Sequence, residues 1–210
     1  MGNQKAPAGF PLDRIGGADL IAGTMRVPSL PALATILLLT VLTGCVRDNK
    51  HHLLISATDQ KMVVLREGQL LAVYPVSTSK FGLGDQPGSN STPLGKLRIR
   101  KKIGDGVPSG AVFKSRKLTG EILPPNAPGR DPIVTRILWL EGLESQNKNA
   151  YDRYIYIHGT PEESTIGTAA SYGCIRMRSR DVIELFDTVG TGARVTIQRD
   201  PFPRLAPSSN

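Results

Sequence analysis

Short runs of apolar or alternating residues recur along most of the chain and predict strands. They lie at residues 53–57, 62–66, 69–76, 97–100, 133–140, 154–158 and 193–198. Such runs, bounded by turn residues, are typical of strands that bury one or both faces. Residues 66–69, Arg-Glu-Gly-Gln, predict a hairpin between the second and third runs. We therefore expect a mainly β fold, a curved sandwich or barrel-like sheet.

One helix is predicted near the end of the chain. Val182, Phe186 and Val189 recur at spacings of four and three residues, so a helix places them on one face. Ser179 is a candidate N-cap, and Gly190 is of the type that ends a helix. The sequence thus predicts one clear helix between these two residues.

Two stretches rich in glycine and proline, residues 82–95 and 118–132, predict long loops. Loops of this length inside a compact domain are often binding loops or lids. The chain shows no internal repeat. We expect one domain at residues 53–199 and a disordered tail at residues 200–210, where prolines and serines accumulate.

The first 45 residues have the charged, apolar and small-residue zones of an export signal. Met25 and Arg26 precede an apolar run at residues 30–41, which is too short to cross a bilayer as a helix. The run ends in Leu-Thr-Gly-Cys, which resembles the lipobox of bacterial lipoproteins. This predicts removal of residues 1–44 and lipidation of Cys45, with residues 46–52 as a polar tether. An uncleaved signal with an incidental cysteine is the alternative.

Two further expectations concern this region. Met25 is the hypothetical true start, because acidic residues, glycines and prolines precede it. Val46, rather than aspartate, follows Cys45. We therefore expect an exported, periplasmic lipoprotein that is held in the outer membrane through Cys45.

The net charge of +8, from 26 basic and 18 acidic residues, favours an anionic partner. Basic residues are scattered rather than gathered in one block, so nucleic acid is not expected. Phospholipid headgroups and anionic wall polymers remain open.

The cysteine count points to a free thiol. Cys45 and Cys174 are the two cysteines, and lipidation of the first leaves the second without a disulfide partner. A free thiol in an oxidising compartment favours a chemical role. Arg176, Arg178 and the helix start nearby predict surroundings that favour the thiolate.

A neutral thiol needs a base, and His158 is the candidate. The alternation of its strand places Ile155 and Ile157 on the inner face and His158 on the other face. The remaining histidines, His51 and His52, fall in the predicted tether.

Gly173 directly precedes Cys174 and would allow a tight turn there. The amides of Gly173 and Cys174 could then point at a developing oxyanion, a contribution of about 3 kcal/mol per donor.

These residues carry a family resemblance. His158-Gly159-Thr160, followed by Ser-Tyr-Gly-Cys-Ile-Arg-Met from Ser171, resembles the signature of the L,D-transpeptidase catalytic domain, the YkuD family. Thr-Pro-Leu-Gly at residues 92–95 resembles another segment of that family. The likeness covers roughly residues 52–198, so the domain at residues 53–199 would be the catalytic domain.

The resemblance implies a β-rich fold and acyl transfer on peptidoglycan tetrapeptide stems without metal or cofactor. Cys174 would attack the carbonyl of the third stem residue, expel the terminal D-alanine and form a thioester. The amine of a second stem would then resolve the thioester into a 3-3 cross-link. His158 would be the base and then the acid, oriented by the Gly159 carbonyl. Arg176 would pair with a substrate carboxylate or brace the loop.

Ser171 and Tyr172 complete the substrate-binding residues that the resemblance implies. Tyr172 is a departure, because the family usually has a second histidine at this position. A phenol can donate a hydrogen bond but cannot serve as a base at neutral pH. We expect activity to survive the change.

Other interpretations remain. The same acyl-enzyme could pass its acyl group to water, a free D-amino acid or a lysine of a lipoprotein. A non-catalytic wall-binding lipoprotein is an alternative of another class.

A zinc site is disfavoured because it takes about three or four protein ligands. A papain-like peptidase is disfavoured because its cysteine precedes its histidine. We expect a monomer.

Overall fold

The computed structural model describes residues 47–203, which hold ten strands and one α-helix. The strands are β1 (His51–Ser56), β2 (Lys61–Arg66), β3 (Gln69–Pro75), β4 (Gly95–Ile103), β5 (Ala111–Lys114), β6 (Lys117–Ile122), β7 (Ile133–Gly142), β8 (Tyr156–Gly159), β9 (Ile175–Met177) and β10 (Arg194–Gln198); the helix is α1 (Ser179–Thr188). Short 3-10 helices lie at Ser145–Asn147 and Glu163–Thr165. The predicted signal with Met25 and Cys45, and residues 204–210 of the tail, lie outside the described residues.

All ten strands belong to one open sheet. Their order is β3-β2-β1-β10-β4-β7-β5-β6, and β8 joins β7 on its other edge and carries β9. The pairs β1–β10 and β8–β9 are parallel, and the remaining pairs are antiparallel. This confirms the mainly β fold with one helix after the cysteine, although the sheet does not close into a barrel.

Helix α1 packs its apolar face into the main core. Val182 and Leu185 are fully buried, and Phe186 and Val189 nearly so, together with aliphatic side chains of β1, β4 and β10. Burial of four such side chains stabilises the domain by several kcal/mol, at about 1.5–3 kcal/mol each. The predicted helix face is therefore confirmed.

Ser179 is not the N-cap that the sequence predicts. The N-cap residue is Arg178, and Ser179 is the first helical residue. The Ser179 hydroxyl lies 2.8 Å from that of Thr135, and its amide donates to Glu163 at 2.8 Å. A carboxylate from another segment thus satisfies the first turn of the helix, which a local sequence pattern does not reveal.

Strands β5 and β6 were not predicted. Residues 118–122, assigned to a loop, form most of β6, whose side chains are largely exposed. An edge strand with two wet faces lacks the alternation that identifies a half-buried strand.

The ordered domain begins before residue 53. The predicted tether contains His51 and His52, which lie in β1. The Asp48 carboxylate accepts hydrogen bonds from the amide of His51 at 3.1 Å and from that of Gly190 at 2.7 Å. The start of the predicted tail is also held, because the amide of Phe202 donates to Asp59 at 2.7 Å.

The described residues contain no helix with the length and apolar character needed to cross a membrane.

Candidate active site

Strand pairing brings the predicted histidine and cysteine into one cavity. Parallel β8 and β9 set His158 opposite Arg176, two residues after Cys174. A cavity of about 180 Å³ opens at this point. It is lined by Asp131, Ile133, His158, Ser171, Tyr172, Cys174 and Arg176.

His158 is held as a neutral base. Its Nδ1 lies 2.8 Å from the carbonyl oxygen of Gly159, and a carbonyl can only accept, so Nδ1 carries the proton. The other ring nitrogen, Nε2, is then free to accept a proton. Burial lowers the pKa of His158 below its ordinary value; the backbone contact with Gly159 and the charge of Asp131 oppose this, and Arg176 adds to it. Only 5% of the residue is exposed.

The contacts of Cys174 are those of a protonated thiol. Its Sγ donates to the Tyr154 carbonyl at 3.4 Å and accepts from the Tyr156 amide at 3.4 Å. Within residues 47–203 the sulfur has no hydrogen bond to His158. The S–H proton must therefore leave Tyr154 before it can pass to the imidazole.

The expected thiolate-favouring surroundings are not observed. Burial raises the pKa of Cys174 to about 11, and the Tyr156 amide and the charge of Arg176 only partly oppose this. The guanidinium of Arg176 is neutralised by carboxylates, so its field at the sulfur is weak. The closeness of Arg176 to Cys174 in the sequence was therefore not sufficient to predict the charge state of the thiol.

Gly173 has the turn geometry that the sequence predicts. Its φ of +114° lies in the left-handed region, and an added Cβ would meet the carbonyl oxygen of Ser91 at 3.3 Å. The Gly173 carbonyl accepts from Thr92 Oγ1 at 3.0 Å, and its amide donates to Ser171 Oγ at 3.3 Å. The amide of Cys174 has no acceptor among residues 47–203. Of the two predicted oxyanion donors, the Cys174 amide is free and the Gly173 amide is already engaged.

Ser171 and Arg176 brace the turn from within. Ser171 is buried, and its hydroxyl donates to the Cys174 carbonyl at 2.6 Å. Arg176, only 2% exposed, contacts Asp131 at 2.5 Å and Glu162 at 2.9 Å. Both side chains are committed to internal contacts. For Arg176 these contacts correspond to the bracing alternative. Ser171 also lines the cavity, so its substrate contact stays a prediction.

Tyr172 differs from these two residues because 60% of it is exposed at the cavity mouth. Its ring packs against Phe81 with centroids 5.2 Å apart. The ammonium of Lys80 donates to the Tyr172 hydroxyl at 3.0 Å.

Aromatic side chains pack next to the backbone groups that contact the sulfur. Trp139 stacks on Tyr151 with centroids 4.2 Å apart and packs edge-on against Tyr156. Arg116, from the β5–β6 turn, lies 4.7 Å from the ring of Tyr154. The backbone groups that touch the sulfur therefore belong to residues with packed rings.

Sequence patterns missed Asp131 and Glu162, since both lie in irregular segments with no motif to mark them. No group of three or more histidine, cysteine or acidic side chains within residues 47–203 is arranged to hold a metal ion.

Comparisons with known proteins agree with the motif. A sequence model of the YkuD family, described as the L,D-transpeptidase catalytic domain, matches residues 50–197. The chain is 28% identical to the putative L,D-transpeptidase YkuD of Bacillus subtilis, over 87% of this chain and 79% of that protein. It is 26% identical to the putative L,D-transpeptidase YqjB of Bacillus subtilis, over 71% of this chain and 72% of that protein.

Among solved structures, L,D-transpeptidase 3 from Mycobacterium tuberculosis in complex with a faropenem-derived adduct is 18% identical with a TM-score of 0.46. That match covers 71% of this chain and spans about 60% of the solved chain. The family model covers well over half of the sequence, including the histidine and the cysteine that line the cavity. The chain therefore belongs to the L,D-transpeptidase catalytic domain (YkuD) family.

Proposed function

We propose that this protein is an L,D-transpeptidase that uses Cys174 to form 3-3 cross-links between peptidoglycan tetrapeptide stems. One observation carries the proposal. His158 donates its Nδ1 proton to Gly159 and so presents a free Nε2 in the cavity that also holds Cys174. Family membership supplies the reaction class, and the thiol and the base that line one cavity supply the chemistry.

The first half-reaction is acylation. Cys174 Sγ attacks the carbonyl carbon of the third stem residue while its proton passes to His158 Nε2. The Cys174 amide, which lacks an internal acceptor, donates to the oxyanion that forms. The bond to the terminal D-alanine then breaks, and His158 returns the proton to the leaving amine. A thioester remains on Cys174.

The second half-reaction releases the product. The side-chain amine of an acceptor stem attacks the thioester carbonyl, and His158 accepts a proton from that amine. The sulfur leaves as thiolate and regains the proton from the imidazolium. The new amide bond joins the third residues of the two stems.

The raised pKa of the thiol defines how these steps proceed. The raised pKa of Cys174 and the lowered pKa of His158 both favour a thiol beside a neutral imidazole over an ion pair at neutral pH. Proton transfer then accompanies attack on the substrate, since a free thiolate at this site is disfavoured. A protonated sulfur is also less prone to oxidation before substrate arrives.

The test is acylation by a carbapenem. The purified protein is incubated with the drug and its intact mass is measured beside a Cys174→Ala variant. A mass increase of one drug molecule in the wild type alone supports the proposal. A folded wild type with no adduct would instead favour a non-catalytic wall-binding protein.

Product analysis separates the acceptors. The enzyme is incubated with disaccharide-tetrapeptide, and the products are identified by mass spectrometry. Dimers joined through the third residues support transpeptidation. Tripeptide alone would indicate water as acceptor, and exchange of added D-amino acid or attachment of a lipoprotein lysine would indicate those alternatives.

We also propose that the protein is exported and anchored through a lipid on Cys45, in the outer membrane. The support is the Leu-Thr-Gly-Cys sequence that ends the apolar run. Intact mass of protein extracted from membranes, compared with a Cys45→Ser variant, tests the lipid. Separation of inner and outer membranes by density then tests the location, and recovery in the soluble fraction would contradict it.

A further inference from the structure

Lys80 is fixed beside the turn that carries the nucleophile. Its backbone amide donates to the carbonyl of Ser171 at 3.1 Å, and Ser79 forms a parallel bridge with Ser171. The segment that carries Lys80 is therefore tied to the chain three residues before Cys174. The lysine side chain is exposed and extends over Tyr172 at the mouth of the cavity.

The contact between Lys80 and Tyr172 has a defined polarity. An ammonium can only donate, so the hydrogen bond of 3.0 Å makes the phenol oxygen the acceptor. The phenol proton is then directed elsewhere, and two ammonium protons also remain. Three donor hydrogens, two on the cationic ammonium and one on the phenol, are thus gathered at one point of the cavity mouth.

The aromatic packing holds this arrangement in place. Lys80 Nζ lies 4.3 Å from the centroid of the Tyr172 ring, and Phe81 packs on that ring at 5.2 Å. Tyr172 and Phe81 both remain about half exposed or more. The aromatic face already limits the motion of the ammonium. Binding of an anion to the ammonium therefore costs little additional side-chain entropy.

Lys80 differs from Arg176 and Arg153 because its charge is not neutralised by an ion pair. Arg176 is paired with Asp131 and Glu162, and Arg153 is paired with Asp85. Within the described residues no carboxylate lies within ion-pair distance of Lys80 Nζ.

We propose that Lys80 and Tyr172 form a carboxylate-binding subsite that selects and orients the stem peptide for attack by Cys174. The ammonium supplies the charge and the phenol supplies a directed hydrogen bond. A tetrapeptide stem carries a carboxylate on the terminal D-alanine, one residue beyond the reacting carbonyl. A stem whose third residue is a diamino dicarboxylic acid carries a second one on that side chain. The identity of the substrate in this proposal rests on the proposed function. Recognition of an anion by Lys80 and Tyr172 does not depend on it.

The first experiment measures charge selectivity without turnover. Cys174 of the full chain is alkylated by iodoacetate and by iodoacetamide, and each rate constant is scored by mass spectrometry on the peptide that contains Cys174. Iodoacetamide is neutral, so dividing by its rate constant removes any change in the intrinsic reactivity of the sulfur. We expect Lys80→Met to lower the iodoacetate-to-iodoacetamide rate ratio about fivefold, as for loss of one charge near 4 Å in water.

Three further variants locate the effect. Lys80→Arg should keep the ratio, since it keeps the charge, and Tyr172→Phe should lower it about twofold, since it removes one donor. Lys50→Met removes the same charge directly before β1, where Lys50 pairs with Glu67, and should leave the ratio unchanged. High salt should reduce the wild-type ratio. An equal ratio in Lys80→Met and Lys50→Met would overturn the proposal.

The second experiment identifies the carboxylate. KM is measured for the tetrapeptide, for its C-terminal amide and for the stem amidated on the side chain of the third residue. Amidation of the recognised carboxylate should raise KM in the wild type and have no effect in Lys80→Met. A wild type that forms no carbapenem adduct would refute the proposed function, whereas the alkylation ratio would still decide the subsite.

Discussion

Asp131 bridges two residues of the site: one carboxylate oxygen lies 2.5 Å from the Arg176 guanidinium and the other accepts from the Thr160 hydroxyl at 2.5 Å. Arg176 follows the nucleophile by two residues, and Thr160 follows the base by two. A single carboxylate therefore connects the segment that carries Cys174 with the segment that carries His158. This connection adds to the β8–β9 pairing that already sets the two segments side by side.

We predict that Asp131→Asn lowers the free energy of unfolding by about 2–4 kcal/mol. Removing one partner of a buried ion pair leaves an uncompensated charge, and Glu162 compensates only part of it. Urea unfolding followed by circular dichroism measures the change. Glu121→Gln is the control, because it breaks the exposed pair with Arg130 and should cost no more than about 1 kcal/mol. Equal losses in the two variants would contradict the bridging role.

We predict that the reactivity of Cys174 keeps increasing with pH up to about 11. Burial raises the pKa of this thiol to about 11, so the thiolate fraction grows tenfold per pH unit below that value. The rate of alkylation by iodoacetamide between pH 6 and pH 10.5 measures it, with free cysteine as the reference. A plateau between pH 6 and pH 8 would indicate a resting thiolate–imidazolium pair and would refute the neutral site.

We predict that His158→Gln reduces the loss of stability at acidic pH. Burial depresses the folded-state pKa of His158, so the unfolded chain binds a proton first as pH falls below about 6.5. That component of stability is present above the unfolded-state pKa and is lost as pH falls towards the folded-state pKa.

The measurement for His158 is the free energy of unfolding at pH 7.5 and pH 5.0. The difference between these values should be smaller in His158→Gln than in the wild type. His52→Gln is a second variant, in which burial also lowers the histidine pKa but the contribution of His158 is kept. Identical pH differences in wild type and His158→Gln would argue against a depressed pKa of His158.

We predict that Thr92→Val destabilises the protein by about 2 kcal/mol and slows acylation of Cys174. The buried Thr92 hydroxyl donates to the Gly173 carbonyl and accepts from the Ser79 amide, both at 3.0 Å. Valine keeps the shape but leaves both backbone groups without a partner. Thermal unfolding and the rate of carbapenem adduct formation measure the two effects.

Thr119→Val is the matched control for Thr92→Val. The Thr119 hydroxyl donates to the Val112 carbonyl at 3.3 Å from an exposed position in β6, where water can replace it. Its loss should change stability by about 0.5 kcal/mol or less. A similar slowing of acylation in both variants would contradict a specific role of Thr92.

The candidate pair His158 and Cys174, which the structure places in one cavity, could be picked from sequence because its signal is local. His158-Gly159 and Gly173-Cys174 are short motifs in which each residue type has a chemical reason, and the Nδ1 contact of His158 joins adjacent residues. The helix face and most strands were predictable for the same reason, since their periodicities lie within a few residues. Strand β6 was missed because its exposed side chains give no alternation.

The roles of Ser171, Tyr172 and Arg176 could not be separated in the same way. All three belong to the same motif. Ser171 is buried, Tyr172 is exposed, and Arg176 is buried and ion-paired. Those differences depend on Asp131, Glu162 and Lys80, which lie 14 to 92 residues away. No pattern within a short segment contains that information.

By itself, the sequence determined which residues could react and what kind of sheet would present them, because residue chemistry and hydrophobic periodicity are local properties. The tertiary structure alone decided that the Cys174 sulfur contacts the backbone of Tyr154 and Tyr156 and that Arg176 is ion-paired with Asp131. Charge state and partner choice depend on burial and on contacts between distant segments. Those quantities exist only once the sheet has formed.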